Sequence, residues 1–142
     1  NIQAIWMYRN FFMQEYGAQP SEIAILSSQH THYSITKAAN LFNLKSYSIP
    51  VDDDTMQIIA PQLDEAINSA KSTGIKYFIA ISNMGTTMFG SIDDPNIYIS
   101  ALKKHDVHFK LHIDGAFGGF IYPISDPENE ITLAIHISLP SL

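Results

Sequence analysis

Cysteine is absent from this 142-residue chain, which removes disulfides, thiolate metal sites and a cysteine nucleophile from consideration. Basic residues are few. Lys and Arg total 8 against 14 Asp and Glu, the formal charge is -6 and the pI is about 5.3, and the longest basic run is Lys103-Lys104. Such a surface gives no footprint for nucleic acid or for an anionic membrane. No apolar run approaches the roughly 18 residues of a membrane span, and no basic, apolar, small-residue leader precedes the first helical pattern. Cytoplasmic residence is the expectation. Internal repeats and low-complexity segments are also missing. What remains is one domain's worth of sequence with 46% hydrophobic content, enough to bury roughly 68% of its unfolded surface.

Two hydrophobic periods alternate along the chain. Ile2, Ile5, Trp6, Phe12, Met13 and Tyr16 recur at helical spacing, and Gly17 with Pro20 ends that helix. Ile23 to Leu26 is a short apolar run of the kind covered on both faces of a sheet. A second helix carries Ile35, Ala38, Ala39 and Phe42 on one face, and Ser46 to Val51 is expected to extend as a strand. The third helix follows the turn Asp52-Asp53-Asp54, has Pro61 near its start, buries Leu63, Ala66, Ile67 and Ala70, and stops at Gly74. Tyr77 to Ile81 is the clearest buried strand. A loop from Ser82 to Asp94, a helix opened by Asp94-Pro95 and a strand from Val107 to Ile113 complete the series. The tail from Pro123 to Leu142 is broken by prolines, with room for one short strand at most.

Strands separated by single helices predict an α/β domain, three αβα layers around a mainly parallel sheet. In such sheets ligands collect outside the carboxyl ends of the strands. Those ends carry Ser27 to His32, Ser82 to Thr87 and Asp114 to Gly119. Asp114, with Gly115 and Ala116 beside it, can pair with a protonated ring nitrogen; it can equally cap the next turn. His32 offers a flat π-face to the same ring, or is a solvated histidine at a helix start. Thr86 and Thr87 offer hydroxyls to a ring oxygen or phosphate, or close a tight turn. The pairs His30/His32 and His112/Asp114 have the i, i+2 spacing of a two-strand metal site, but His112 within an apolar strand also fits a packed core histidine, and no metal is expected. His105, His108 and His136 lack such partners and are read as structural or solvated. No serine has the flanking glycines of a nucleophile elbow.

Three blocks now make a pattern: His30-Thr31-His32-Tyr33-Ser34-Ile35-Thr36-Lys37-Ala38-Ala39, Gly85-Thr86-Thr87-Met88-Phe89-Gly90-Ser91-Ile92-Asp93-Asp94-Pro95, and His112-Ile113-Asp114-Gly115-Ala116-Phe117-Gly118-Gly119. In order and spacing they resemble the group II pyridoxal-phosphate-dependent amino-acid decarboxylases, which act on glutamate, tyrosine and aromatic amino acids and have the aspartate-aminotransferase-like fold (fold type I). The resemblance runs from Asn1 to about Tyr122; residues 123–142 match poorly. It implies a lyase with an amino-acid substrate and pyridoxal 5'-phosphate as cofactor, homodimeric in the whole enzyme. It further implies that His32 stacks on the pyridine ring, Asp114 pairs with its nitrogen, Ala116 packs on the opposite face, and Thr86 or Thr87 contacts the cofactor. Within what the resemblance implies, a histidine at the stacking position favours decarboxylation, since aminotransferases of this fold usually place Tyr, Phe or Trp there.

The same resemblance implies that residues 1–142 are the central part of a large domain cut at both ends. The glycine-rich phosphate segment of the family would end where Asn1 begins, and its cofactor lysine would follow Leu142. No lysine present substitutes by position: Lys37, Lys71, Lys103 and Lys104 fall on helices, Lys45 and Lys76 precede strands, and Lys110 lies four residues before Asp114, roughly 13 Å at about 3.3 Å per residue. The chain alone is therefore expected to bind pyridoxal phosphate weakly or not at all and to be inactive. The alternatives are a fragment of another fold type I enzyme, an aminotransferase or an aldolase-like lyase, and a non-catalytic assembly fragment.

Overall fold

The computed structural model describes residues 1–121 and Ile124, and all statements on structure concern these. Helices and strands alternate: α1 (Ile2–Tyr16), β1 (Ile23–Ser28), α2 (Ser34–Leu41), β2 (Lys45–Ile49), α3 (Ala60–Ser72), β3 (Tyr77–Asn83), α4 (Pro95–Lys104) and β4 (His108–Asp114), with a 3-10 turn at Pro20–Glu22. The sheet is parallel throughout, in the order β2-β1-β3-β4.

Each strand of the central pair presents alternate residues to opposite layers, as the pleat requires. Ile23, Ile25, Ile79 and Ile81 pack with Ile5 and Phe12 of α1 and Ile35, Ala38 and Ala39 of α2. Ala24, Leu26, Phe78 and Ala80 pack with Leu63, Ile67 and Ala70 of α3 and Tyr98, Ala101 and Leu102 of α4. Burial on both faces explains why β1 and β3 read as unbroken apolar runs, whereas β2 and β4, at the edges of the described sheet, are only partly buried. Each fully buried Leu, Ile or Phe contributes about 1.5–3 kcal/mol.

Local chemistry sets the element ends. Pro61 and Pro95 sit in the first turns of α3 and α4, where a missing N–H costs nothing. Asp94 caps α4, its carboxylate accepting the Asn96 N–H at 2.9 Å. The second strand ends at Ile49, two residues before the expected Val51, which leaves the sheet to make an isolated antiparallel bridge with Ile58. The expected strand in the tail and His136 lie outside the described residues.

The sheet order places the chain's reversal between β1 and β3. From β1 it moves outward to β2, then returns to the other side as β3 and continues to β4. Loops leaving β1 and β3 diverge at that point and leave a crevice at the carboxyl edge.

Candidate functional site

A cavity of about 200 Å³ lies at this crevice, lined by Asn1, His32, Asn83, Gly85, Thr86, Thr87, Asp114, Ala116 and Phe117. Three separate sequence blocks meet in it. His32, Thr86, Thr87, Asp114 and Ala116, selected from sequence, all line the one space.

Asp114 ends β4 opposite Asn83 of β3 and is only 8% exposed. Its Oδ1 accepts the Ala116 N–H at 3.2 Å, and its Oδ2 accepts Asn1 Nδ2–H at 2.7 Å. The capping and ligand readings of Asp114 are thus compatible, because a carboxylate has about four acceptor positions and these bonds use two. His32 follows β1. It is exposed, its Nδ1 lies 2.9 Å from Ser34 Oγ, and the Ser34 N–H donates to the same nitrogen at 3.3 Å. Asn1 joins the two halves of the site, since its Nδ2 also donates to Ser34 Oγ at 2.9 Å.

Thr86 is buried and closes its own loop: its hydroxyl lies 2.7 Å from Ser91 Oγ and accepts the Ser91 N–H at 3.2 Å. Thr87 is exposed at the cavity. The loops after β3 and β4 interlock through backbone. Gly118 N–H donates to the Met84 carbonyl at 2.9 Å, and a Cβ on Gly118 would collide with that oxygen. Gly85, at φ 89°, lies so close to Gly118 that its own added Cβ would come within 3.2 Å of the Gly118 nitrogen.

Behind the cavity is a buried polar cluster to which the sequence alone assigns no role, although Thr31 and Asp93 lie within the motif blocks. Asn83 Nδ2 lies 3.2, 3.0 and 2.8 Å from Ser28 Oγ, Thr31 Oγ1 and Asp93 Oδ2, its two N–H donors shared among the three. Asp93, 1% exposed, also accepts the Asn83 backbone N–H at 2.8 Å. Burial raises the Asp93 carboxyl above its usual range, against the opposing effect of these hydrogen bonds. The one available signal was position: Asn83 and Ser28 both stand at carboxyl ends of central strands, where buried polar residues have to find each other.

The histidines considered for a metal engage other partners. The His30 ring packs on Phe89 with centroids 4.5 Å apart, while His112 Nε2 donates to Asn1 Oδ1 at 2.8 Å. Among the described residues no group of three or more His, Cys, Asp or Glu side chains is placed to hold a metal. His105 pairs with Asp64 at 2.8 Å and His108 packs on Tyr16, so both have structural partners. Lys110 Nζ lies over the Phe11 ring, 3.8 Å from its centroid, on the side of the sheet that carries α1. No lysine lines the cavity.

Residues 9–134 match the model of the pyridoxal-dependent decarboxylase conserved domain. The chain belongs to this family. The match continues past Tyr122, so the family pattern extends further into the tail than the three motif blocks imply. Tryptophan decarboxylase of Clostridium sporogenes is 52% identical over 128 residues, covering 90% of this chain and 31% of that enzyme. Cysteine sulfinic acid decarboxylase of Rattus norvegicus is 31% identical over 101 residues, covering 70% of this chain and 20% of that enzyme. The chain therefore spans less than a third of the length of these relatives. Among solved structures, the glutamate decarboxylase domain of a diaminobutyrate-pyruvate transaminase and L-2,4-diaminobutyrate decarboxylase from Vibrio parahaemolyticus superposes with a TM-score of 0.70 at 24% identity, over 82% of this chain and 27% of that one. The parallel sheet with helices on both faces is the α/β architecture of these fold type I neighbours.

The residues present fit part of the family's cofactor. A buried carboxylate, an imidazole and a small residue surround a space at the switch point, which suits a protonated heteroaromatic ring. Among the described residues no lysine lines the cavity to make a covalent link.

Proposed function

We propose that this chain forms the ring-binding part of a pyridoxal 5'-phosphate site in an enzyme that removes the α-carboxylate of an amino acid. The observation that carries the reading is the convergence of His32, Thr86, Thr87, Asp114 and Ala116 on one cavity at the carboxyl edge of the sheet. When bound, the cofactor serves as the sink for the electron pair left by the departing carboxylate. Asp114 is the residue that holds the proton on the ring nitrogen: it is buried, so water screens its charge little. His32 covers one ring face, and Ala116, which has no side chain beyond Cβ, lets the other face approach the backbone. Thr87 supplies a hydroxyl that no described residue engages.

In this reading the covalent lysine and the phosphate loop come from sequence outside residues 1–142, and the chain alone does not release CO2. The relatives' names support decarboxylation of an amino acid, and tryptophan is the first substrate to try. A cytoplasmic homodimer is part of the proposal. The dimer is supported by the exposed Met88, Phe89, Phe117 and Phe120 on the loops that carry the site, an apolar surface suited to being covered. No helix of the described residues is long and apolar enough to cross a membrane.

The test is CO2 release from L-tryptophan and other amino acids by the full-length protein that carries this chain, with pyridoxal phosphate added. The reading expects release that Asp114→Ala reduces by at least about 100-fold, in the range lost with a single electrostatic stabiliser. Full activity in the Asp114→Ala protein, or borohydride fixation of pyridoxal phosphate onto a lysine of the 142-residue chain, overturns it.

A further inference from the structure

Two residues outside the motif roles, Asn1 and Ser34, connect the Asp114 carboxylate to the imidazole of His32 by an unbroken chain of hydrogen bonds. Donor and acceptor chemistry fixes the direction of every link. Asp114 Oδ2 accepts, so the atom of Asn1 facing it at 2.7 Å is the amide nitrogen. The amide oxygen of Asn1 then faces His112 Nε2 at 2.8 Å, which requires a proton on that nitrogen. The second N–H of Asn1 Nδ2 points to Ser34 Oγ at 2.9 Å, occupying an acceptor position of the hydroxyl. Ser34 accordingly has its own O–H to give, and His32 Nδ1 lies 2.9 Å away. The Ser34 backbone N–H donates to the same Nδ1 at 3.3 Å, so Nδ1 is an acceptor twice over and carries no proton.

We infer that Asn1 and Ser34 are positioning residues that form a relay, through which the Asp114 carboxylate holds neutral His32 as its Nε2–H tautomer. The ring then meets a ligand as a hydrogen-bond donor at Nε2, the nitrogen for which the described residues supply no partner. Asp114 is what gives the relay its direction. A group that both donates and accepts at position 114 lets the Asn1 amide turn over, places its oxygen against Ser34, and draws the serine hydroxyl away from His32. The two proposed ring partners are thereby set as one unit before any ligand arrives. The inference deepens the functional reading, resting on it for the identity of the ligand but not for the measurement.

The experiment is side-chain 15N NMR of the ligand-free, full-length protein labelled at histidine, above the pH at which histidines are charged. His32 and His112 are assigned by the signals lost in His32→Gln and His112→Gln. The expected spectrum has His32 with a pyridine-type Nδ1 and a pyrrole-type Nε2, and His112 protonated on Nε2. Ser34→Ala and Asn1→Ala each shift the His32 tautomer ratio about 2- to 10-fold toward Nδ1–H, the effect of losing one hydrogen bond, and Ser34→Thr restores it. Asp114→Asn, nearly isosteric, shifts the same ratio from across the cavity, and adding Asn1→Ala to it produces no further change. A proton on His32 Nδ1 in the wild type, or a His32 ratio indifferent to Asp114→Asn, overturns the relay. A protein that shows the relay and yet fails to bind pyridoxal phosphate keeps this inference while the functional reading falls.

Discussion

Asp114 and Asn83 are register partners at the carboxyl ends of β4 and β3, and the Met84 N–H that follows Asn83 donates to the Asp114 carbonyl at 2.9 Å. The cavity-lining carboxylate and the buried amide cluster therefore share one piece of backbone. A disturbance of either strand end reaches both.

The interlock of the two loops makes Gly118→Ala informative. The added methyl meets a backbone carbonyl, which has no rotamer to change, so the loop after β4 must lift from Met84. Overpacking of this kind costs about 1–3 kcal/mol. Urea denaturation is expected to show a lower midpoint with an unchanged slope. A midpoint equal to wild type would mean that the two loops do not touch in solution.

Asp93 separates hydrogen bonding from charge. Asp93→Ala leaves the Asn83 backbone N–H without its 2.8 Å partner and weakens the hold on Nδ2, at about 1–3 kcal/mol for each buried donor left unpaired. Asp93→Asn keeps an acceptor. Because burial raises the folded carboxyl above the unfolded value near 3.9, the folded wild type binds more protons than the unfolded chain between those values, and it gains stability as the pH falls through that window. Denaturation midpoints taken from about pH 7 to about pH 4 should favour wild type over Asp93→Asn progressively on acidification. A gap independent of pH would contradict the assigned shift.

His112 has the opposite sign. Burial lowers its value below the ordinary range and outweighs the attraction of Asp114, so the unfolded chain takes up a proton that the folded one resists. Stability from this group is complete above about pH 6.5, and it is lost as the pH falls from there toward the lower folded value. His112→Gln should flatten the stability curve over that range relative to wild type. Superimposable pH profiles for the two proteins would remove His112 from the balance.

The fold was legible because periodicity and burial agree: β1 and β3 lie between two helical layers and so are apolar from Ile23 to Leu26 and from Phe78 to Ile81, before their polar carboxyl ends. The ring candidates were legible for a different reason, that strand ends in a parallel sheet share one edge, which brings His32, Thr86 and Asp114 together whatever the details of packing. Thr86 showed the limit of that argument. Its hydroxyl is engaged by Ser91, five positions on, a contact decided by the closure of the loop rather than by any pattern of residue types. Asn83 and Asp93 were silent because each polar residue is read alone in a sequence, and their significance is that each answers the other across ten positions. Asn1 was silent for the same reason: its three side-chain partners, Ser34, His112 and Asp114, lie far along the chain.

The sheet order has a consequence for how such a site can be detected. His32 follows one strand and Asp114 ends another, and they adjoin only when β3 has been inserted between β1 and β4. A molecule that touches both is sensitive to whether the sheet has assembled, and it stabilises the assembled chain by RT ln(1 + [L]/Kd), about 2.7 kcal/mol at 100 times its dissociation constant. The cavity thus acts as a tie between distant parts of the sequence. Melting temperature, measured against ligand concentration, would count how often that tie is made.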